Sequence, residues 1–341
     1  MKTITIDIET ASVENLDACG VYRYAESGLF SLLLVSYSID GGPVATVDID
    51  NGDTLPDEIL SALTDKSVIK KAFNVNFERV CLSVYLRRNY PDLLNFDDAV
   101  GNYIDSESWQ CDMIHSRYLG MMSSLDGMGK LLRLKEKKMD EGKELIRYFC
   151  TPHEQKNGDL LFHDKSDAPK KWKKFVEYNR RDVEVELKIQ RLLSEMPVPD
   201  FIWEEFYIDQ RINDRGILVD TGFAEKAVEL DSNVKKELFP KLKELTGLDN
   251  PNSPAQMKDW LMRQGIEADS LDKKSMPGLL ATAPDDVKEV LMLYQQLSKS
   301  SVSKYHTMLG ASCEDGRARG MFSFYGANRT GRFAGRLIQL Q

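Results

Sequence analysis

The chain opens on a strict alternation: in Thr3-Ile4-Thr5-Ile6-Asp7-Ile8-Glu9-Thr10 every second position is isoleucine and the positions between are polar. That period of two, on β-branched side chains, predicts a half-buried strand. A second apolar run over 32–39 ends at the turn Asp40-Gly41-Gly42-Pro43, and a third over 44–49 follows it, so the sheet is expected to begin as a meander. The period then changes. Residues 55–63 read as a helix, 68–73 as a short strand and 76–88 as an amphipathic helix. A strongly helical stretch over 172–195 runs into Met196-Pro197-Val198-Pro199, where proline ends it. Beyond that break 201–215, 221–246, 254–264 and 283–309 all carry helical periodicity, joined by Gly- and Pro-bearing turns. The last stretch, 316–341, is rich in Gly, Arg and aromatics, lacks amphipathic period and ends without a cap on Leu337-Ile338-Gln339-Leu340-Gln341. The pattern predicts a mixed α/β domain over 1–196, a mostly helical region over 197–315, and a distinct closing segment over 316–341.

Composition narrows the chemistry. With 341 residues, 42% of them apolar, the chain has material for two domains or more at ~100–200 residues each. No apolar run approaches the ~18 residues that cross a bilayer, and the start passes directly into a strand pattern, so a cytoplasmic protein with no membrane partner is expected. The five cysteines (Cys19, Cys81, Cys111, Cys150, Cys313) are scattered and never spaced as CxxC, which reads as reduced, buried thiols. The four histidines show no ligand spacing either, so any metal must be held by carboxylates. A net charge of −9 counts against a simple nucleic-acid coat protein. It is compatible with an acidic metal site flanked by local basic clusters, and two occur: Lys170-Lys171-Trp172-Lys173-Lys174, and Arg317, Arg319, Arg329, Arg332 and Arg336.

Three motifs carry acids at telling places. On a strand, Asp7 and Glu9 lie two apart on one face, where like charges repel unless a cation sits between them; a solvated strand face is the plain alternative. Asn74-Val75-Asn76-Phe77-Glu78 falls where a strand turns into a helix, placing Glu78 within reach of the first strand; turn and cap residues followed by a favourable first-turn acid would look the same. In Tyr178-Asn179-Arg180-Arg181-Asp182 the phenol and carboxylate are four apart on one helix face, so Tyr178 can orient or deprotonate a water while Asp182 binds metal; a surface Tyr and an ion-paired Asp are the alternative. Together they supply the four carboxylates and the tyrosine that two Mg²⁺ or Mn²⁺ ions ~3.5–4 Å apart need to hydrolyse a phosphodiester.

These motifs resemble those of the DEDDy 3′→5′ exonucleases, whose fold is a ribonuclease H-like α/β domain. The resemblance implies catalytic and metal-binding roles for Asp7, Glu9, Glu78 and Asp182 and a catalytic role for Tyr178. Glu78 departs from the Asp usual at the second motif and lengthens that arm by one methylene, as phage-type members do. Thr10 and Val13, then Phe73 and Asn74, occupy the positions where the family contacts the 3′-terminal nucleotide.

The likeness continues along essentially the whole chain and becomes narrower. Trp109-Gln110-Cys111-Asp112-Met113, Ser124-Leu125-Asp126-Gly127-Met128-Gly129-Lys130 and Gly142-Lys143-Glu144-Leu145-Ile146 resemble the exonuclease region of bacteriophage-type family A (DNA polymerase I family) polymerases. The stretches 209–217 and 252–256 are similar to the approach to the thumb of that family, and 297–305 to the thumb helix along duplex DNA, with Lys299 and Lys304 as phosphate contacts. Residues 328–341 resemble the TGR segment that opens the palm, implying phosphate contacts by Arg329, Arg332 and Arg336. The palm and fingers aspartates are absent, so polymerisation by this chain alone is not expected.

The resemblance implies a proofreading 3′→5′ exonuclease acting on single-stranded DNA 3′ ends and releasing nucleoside 5′-monophosphates. DNA would be the partner, including primer-template duplex along the thumb, in the cytoplasm of a phage-infected or prophage-bearing bacterium. An RNA-processing exonuclease is disfavoured by the thumb- and palm-like segments. The alternative from another class is a non-catalytic DNA-binding or assembly subunit of a split polymerase, paired with a separate C-terminal polymerase chain.

Overall fold

The computed structural model describes residues 1–93, 103–135, 139, 141–155, 157–298, 302–327 and 330–340. They form two compact units, residues 1–219 with 310–341, and residues 220–309.

The first unit is built on a five-stranded sheet. In chain order come β1 (Thr3–Ala11), α1 (Leu16–Glu26), β2 (Ser31–Ile39), β3 (Val44–Asp48), α2 (Asp57–Thr64), β4 (Ile69–Ala72), α3 (Val75–Asn89) and β5 (Trp109–Cys111). Next come α4 (Asp112–Tyr118), α5 (Leu125–Leu131), α6 (Gly142–Cys150), the short pair β6 (His153–Glu154) and β7 (Leu160–Leu161), and α7 (Pro169–Leu193). After the Pro197–Pro199 break α8 (Asp200–Arg215) and β8 (Ile217–Leu218) complete the first stretch. The sheet order is β3-β2-β1-β4-β5, with β1, β2 and β3 antiparallel to one another in turn and β4 and β5 parallel to β1. This is the mixed sheet of a ribonuclease H-like α/β domain.

The opening alternation decides what each face of β1 does. Ile4, Ile6 and Ile8 sink into the large core with Tyr22 of α1 and Val80 and Leu82 of α3. On the other face Ala11, with Leu33 and Leu34 of β2, packs under Phe149 of α6 and Trp172 and Phe175 of α7. Asp7 pairs opposite Ser36 and Glu9 opposite Leu34, and the register slips immediately after Glu9, so that Thr10 faces Leu32. A slip of this kind bends and twists the pair locally, which re-aims the side chains at that strand end.

Proline at its first turn starts α7, where the missing N–H costs nothing. Its buried positions include 172, 175, 179, 182, 186, 189 and 193, the 3–4 spacing of a stripe turned to the core. The ends of that stripe are apolar, but its middle is Asn179, Asp182 and Glu186. Three buried polar groups inside an apolar stripe need polar neighbours: Asn179 finds Asp7 of β1, Asp182 finds Tyr178 one turn back, and Glu186 finds Asp112 of α4.

A second polar cluster ties α3 to α8. Arg79 Nη1 and Nη2 donate to Asp214 at 2.9 and 2.6 Å, and Tyr22 Oη donates to the same carboxylate at 2.7 Å. Arg319, from the last stretch of the unit, donates to the Asp214 carbonyl and pairs with Asp315 through both nitrogens of its fork.

In the second unit α9 (Thr221–Thr246), α10 (Pro254–Arg263), α11 (Met276–Thr282), α12 (Asp285–Leu297) and α13 (Ser303–Ala311) follow. Leu242, Met257, Leu261, Val287, Leu291 and Tyr294 make its core. The continuous helix expected over 283–309 is two helices. At the end of α12 the Ser298 N–H and hydroxyl both turn back to the Tyr294 carbonyl, and serine's competition for backbone partners disfavours continuation. The chain closes in the first unit with β9 (Arg317–Ala318), paired with β8, and the hairpin β10 (Phe322–Ala327) and β11 (Arg332–Gly335).

Candidate active site

One cleft of about 700 Å³ gathers residues from five elements of the first unit, β1, α1, α3, α6 and α7. Strand β1 contributes Asp7 and Glu9 by its period of two, the first turn of α3 contributes Glu78, and α7 contributes Tyr178 and Asp182 by its i, i+4 spacing. Thr10, Val13 and Asn74 also line it. All of its charged lining residues among those described are acids, with Glu14 and Asp17 added at the α1 side.

Electrostatics follows from that composition. Glu78 is buried, its Oε2 has no hydrogen-bond partner among the described residues, and burial followed by the charge of Asp7 pushes its carboxyl well above the usual range. Tyr178 Oη hydrogen-bonds Asp182, and burial, then Asp182, Glu9 and Asp7, raise its phenol far above its ordinary value. In this state Tyr178 is a proton-bearing donor. Its ring lies parallel to Phe175, 6.3 Å between centroids, and rests against Gly142 of α6, where any Cβ would run into the ring. The Gly142-Lys143-Glu144 segment thus makes room for the tyrosine.

Several groups that set the geometry were given no role by the sequence motifs. Asn179 is fully buried and its Nδ2 donates to Asp7 Oδ2 at 2.6 Å, fixing the first carboxylate from α7. Behind the cleft, Asp112 at the start of α4 hydrogen-bonds Glu186 of α7, and Gln190 Nε2 bridges them at 2.6 and 3.2 Å. Burial, then Asp112, pushes Glu186 well up, so this pair holds a proton between its carboxyls. The polar interruption of the α7 stripe was the available signal for Asn179 and Glu186.

Other expected residues lie elsewhere. Phe73 is buried in an apolar cluster with Met128 of α5 and Val185, Ile189 and Leu193 of α7, and of the two neighbours only Asn74 lines the cleft. Asn74 holds the cap position of α3, yet its side chain makes no capping bond, which leaves the amide available at the cleft wall. Lys304 is exposed on α13 of the second unit, and Arg332 and Arg336 are exposed on and just after β11. Lys299 and Arg329 lie outside the described residues. The basic cluster in the first turns of α7 is partly neutralised, Lys171 by Glu144 and Lys174 by Glu141.

Among the described residues no three His, Cys, Asp or Glu groups converge closely enough to form a ready metal cage. The donors are nevertheless of the right kind for a hard divalent cation: all are oxygens, and one, Glu78 Oε2, is a buried acceptor without a donor.

Sheet order, helical layers and cleft define the class: a ribonuclease H-like mixed α/β domain with an acidic cleft, in a chain whose second unit is helical. Along its whole length the chain is similar in sequence to a phage DNA polymerase, as the resemblance read from its motifs implied. It is 41% identical over 344 residues to the DNA polymerase of Bacillus phage SP02, covering 100% of this chain and 51% of that protein. The chain therefore spans about half the length of the curated relative it matches. Among solved structures it is similar in fold to the POL domain of Pol1 from M. smegmatis, solved in complex with DNA primer-template and dNTP. The TM-score is 0.53 at 15% identity, over 98% of this chain and 52% of that one. No family model matches the chain.

Proposed function

We propose that this chain is the 3′→5′ proofreading exonuclease portion of a DNA-directed DNA polymerase. It would hydrolyse single-stranded DNA from the 3′ end and release nucleoside 5′-monophosphates. The observation that supports this most is the convergence of three distant sequence motifs into one cleft whose charged lining, among the described residues, is entirely acidic. A polyanionic strand is repelled by such a cleft unless cations screen or occupy it, and the four acids Asp7, Glu9, Glu78 and Asp182 are the residues that would hold them. Bound there, two Mg²⁺ or Mn²⁺ ions supply Lewis acidity to the scissile phosphoryl group and cancel the carboxylate repulsion.

The chain's own residues supply positioning. Asn179 holds Asp7 in one orientation, so that carboxylate need not be ordered when substrate binds. Tyr178, seated on Gly142, presents its hydroxyl beside Asp182, where it orients the attacking water by hydrogen bonding. Thr10, whose hydroxyl is shared with Tyr24 at 3.0 Å, Val13 and Asn74 form the wall against which the terminal nucleotide rests. Selectivity for a mismatched end arises because an unpaired end frays at lower cost and reaches the cleft as a single strand.

The test is degradation of a 5′-labelled single-stranded oligonucleotide with Mg²⁺ or Mn²⁺, comparing the parent with Asp7→Ala and Asp182→Ala. A ladder shortening from the 3′ end, dependent on metal and lost in both variants, is the expected result. No cleavage by a folded parent would overturn it in favour of a non-catalytic DNA-binding or assembly role.

A further inference from the structure

Asn74 stands between two spaces. One is the carboxylate cleft; the other is a small cavity of about 30 Å³ bounded by α3, α4, α8 and the β10–β11 hairpin. A space of that size has room for on the order of two water-sized groups, enough to seat the free oxygens of one phosphate. Two guanidinium groups line it, Arg117 of α4 and Arg336 after β11.

Arg117 is fixed in place. Its Nε donates to Ser123 Oγ at 3.2 Å, and its Nη1 donates to Ser323 Oγ at 3.2 Å and to the Phe324 carbonyl at 3.3 Å. Its Nη2 takes no partner among the described residues, and neither Arg117 nor the exposed side chain of Arg336 pairs with an acid there. Burial first, and the charge of Arg336 as well, disfavour the Arg117 cation. The carboxyl that lines the cavity, Asp209, accepts from Gln210 and Asn213 and is pushed up to about 7 by burial, so it presents only part of a negative charge near neutral pH. Two cations held side by side without a full counter-charge favour an anion with paired oxygens, and a planar guanidinium fork matches phosphate.

We propose that Arg117 and Arg336 grip a backbone phosphate of the single strand whose 3′ end occupies the carboxylate cleft, with Asn74 as the wall between the two. This grip rests on the exonuclease function proposed for the cleft. It contacts the backbone alone and therefore does not read sequence.

Binding of 5′-fluorescein dT10 by anisotropy in EDTA, across a salt series, tests it without hydrolysis. Arg336→Gln is the first variant, because that side chain is exposed and ties nothing down; Arg117→Lys keeps the charge but loses the fork. Both are expected to bind about tenfold more weakly, and Arg336→Gln to lower the slope of log K against log salt by about 0.7. With Mg²⁺, KM for dT10 rises while kcat holds, and hydrolysis of thymidine 5′-p-nitrophenyl phosphate, which carries only the scissile phosphate, is unchanged. Lys2→Gln controls for the loss of one positive charge. A folded Arg336→Gln chain with parental affinity and salt slope overturns the grip, even if hydrolysis is intact. Arginine-dependent binding by a parent that cleaves nothing with Mg²⁺ would keep the phosphate site and sink the exonuclease function instead.

Discussion

Glu78 and Arg79 are sequence neighbours on the first turns of α3, both buried, and they handle charge in opposite ways. Arg79 meets Asp214 through both nitrogens of its fork, with Gln210 and the Ile104 carbonyl as further acceptors. Glu78 has no such counter-ion among the described residues, and burial, then the charge of Asp7, drive its carboxyl upward. A buried ion provided with its counter-ion locks elements together, here α3 to α8 and α1. A buried ion left without one is costly in the free protein and is tolerated where a ligand brings the missing charge.

The widest separation between the two clusters should appear in stability. Arg79→Ala strands the Asp214 carboxylate and is expected to cost about 3–5 kcal/mol, read from the urea midpoint. Glu78→Gln, measured without divalent cations, should cost nothing or stabilise, since it removes a repelling charge. Equal losses at both positions would erase the distinction between a paired and an unpaired buried ion.

Next in size is a catalytic effect confined to the acidic cleft. Tyr178→Phe keeps the ring on Gly142 and removes the hydroxyl, so kcat for single-stranded DNA should fall about 10²-fold, near 2.7 kcal/mol, with KM and melting temperature little changed. A variant that cleaves at the parental rate would remove Tyr178 from the chemistry.

Asp209 sharpens the contrast within the Arg79 network, because it is the member that Arg79 does not bind directly. Burial raises its carboxyl from 3.8 to about 7. The native state therefore holds a proton that the unfolded chain has lost, and stability falls as pH rises from about 4 to about 7. This contribution is complete below about 4 and gone above about 7. Asp209→Asn should flatten that slope by about 2 kcal/mol between pH 4.5 and 8, because each pH unit across this window is worth at most ~1.4 kcal/mol and local relaxation reduces it. An unchanged slope in denaturant titrations at the two pH values would show that another group carries it.

The smallest expected effect is Gly142→Ala. Its Cβ collides with the Tyr178 ring, and a local shift to accommodate one methyl should cost about 1–2 kcal/mol. Hydrolysis should fall by more than the stability loss explains, since the displaced ring carries the hydroxyl with it. A parental rate would mean that the ring position is slack.

Much of the first unit was legible along the chain because its signals are local. The Ile4-Ile6-Ile8 alternation sets the faces of β1, and the same period puts Asp7 and Glu9 side by side. Proline at 169 and again at 197 and 199 brackets α7, and the i, i+4 spacing of Tyr178 and Asp182 needs only helix geometry. Features set by one period or one turn residue are determined by the sequence by itself. Tertiary packing decided the rest. Phe73 turns into the apolar cluster under α7 because Met128, Val185 and Ile189 meet it there. Asp112 and Glu186, far apart along the chain, share a proton only because α4 and α7 pack at the same sheet end. Arg117 and Arg336 face one cavity because the β10–β11 hairpin folds back beside α4. Such meetings depend on the sum of many weak contacts between elements, and no spacing along a single element encodes them.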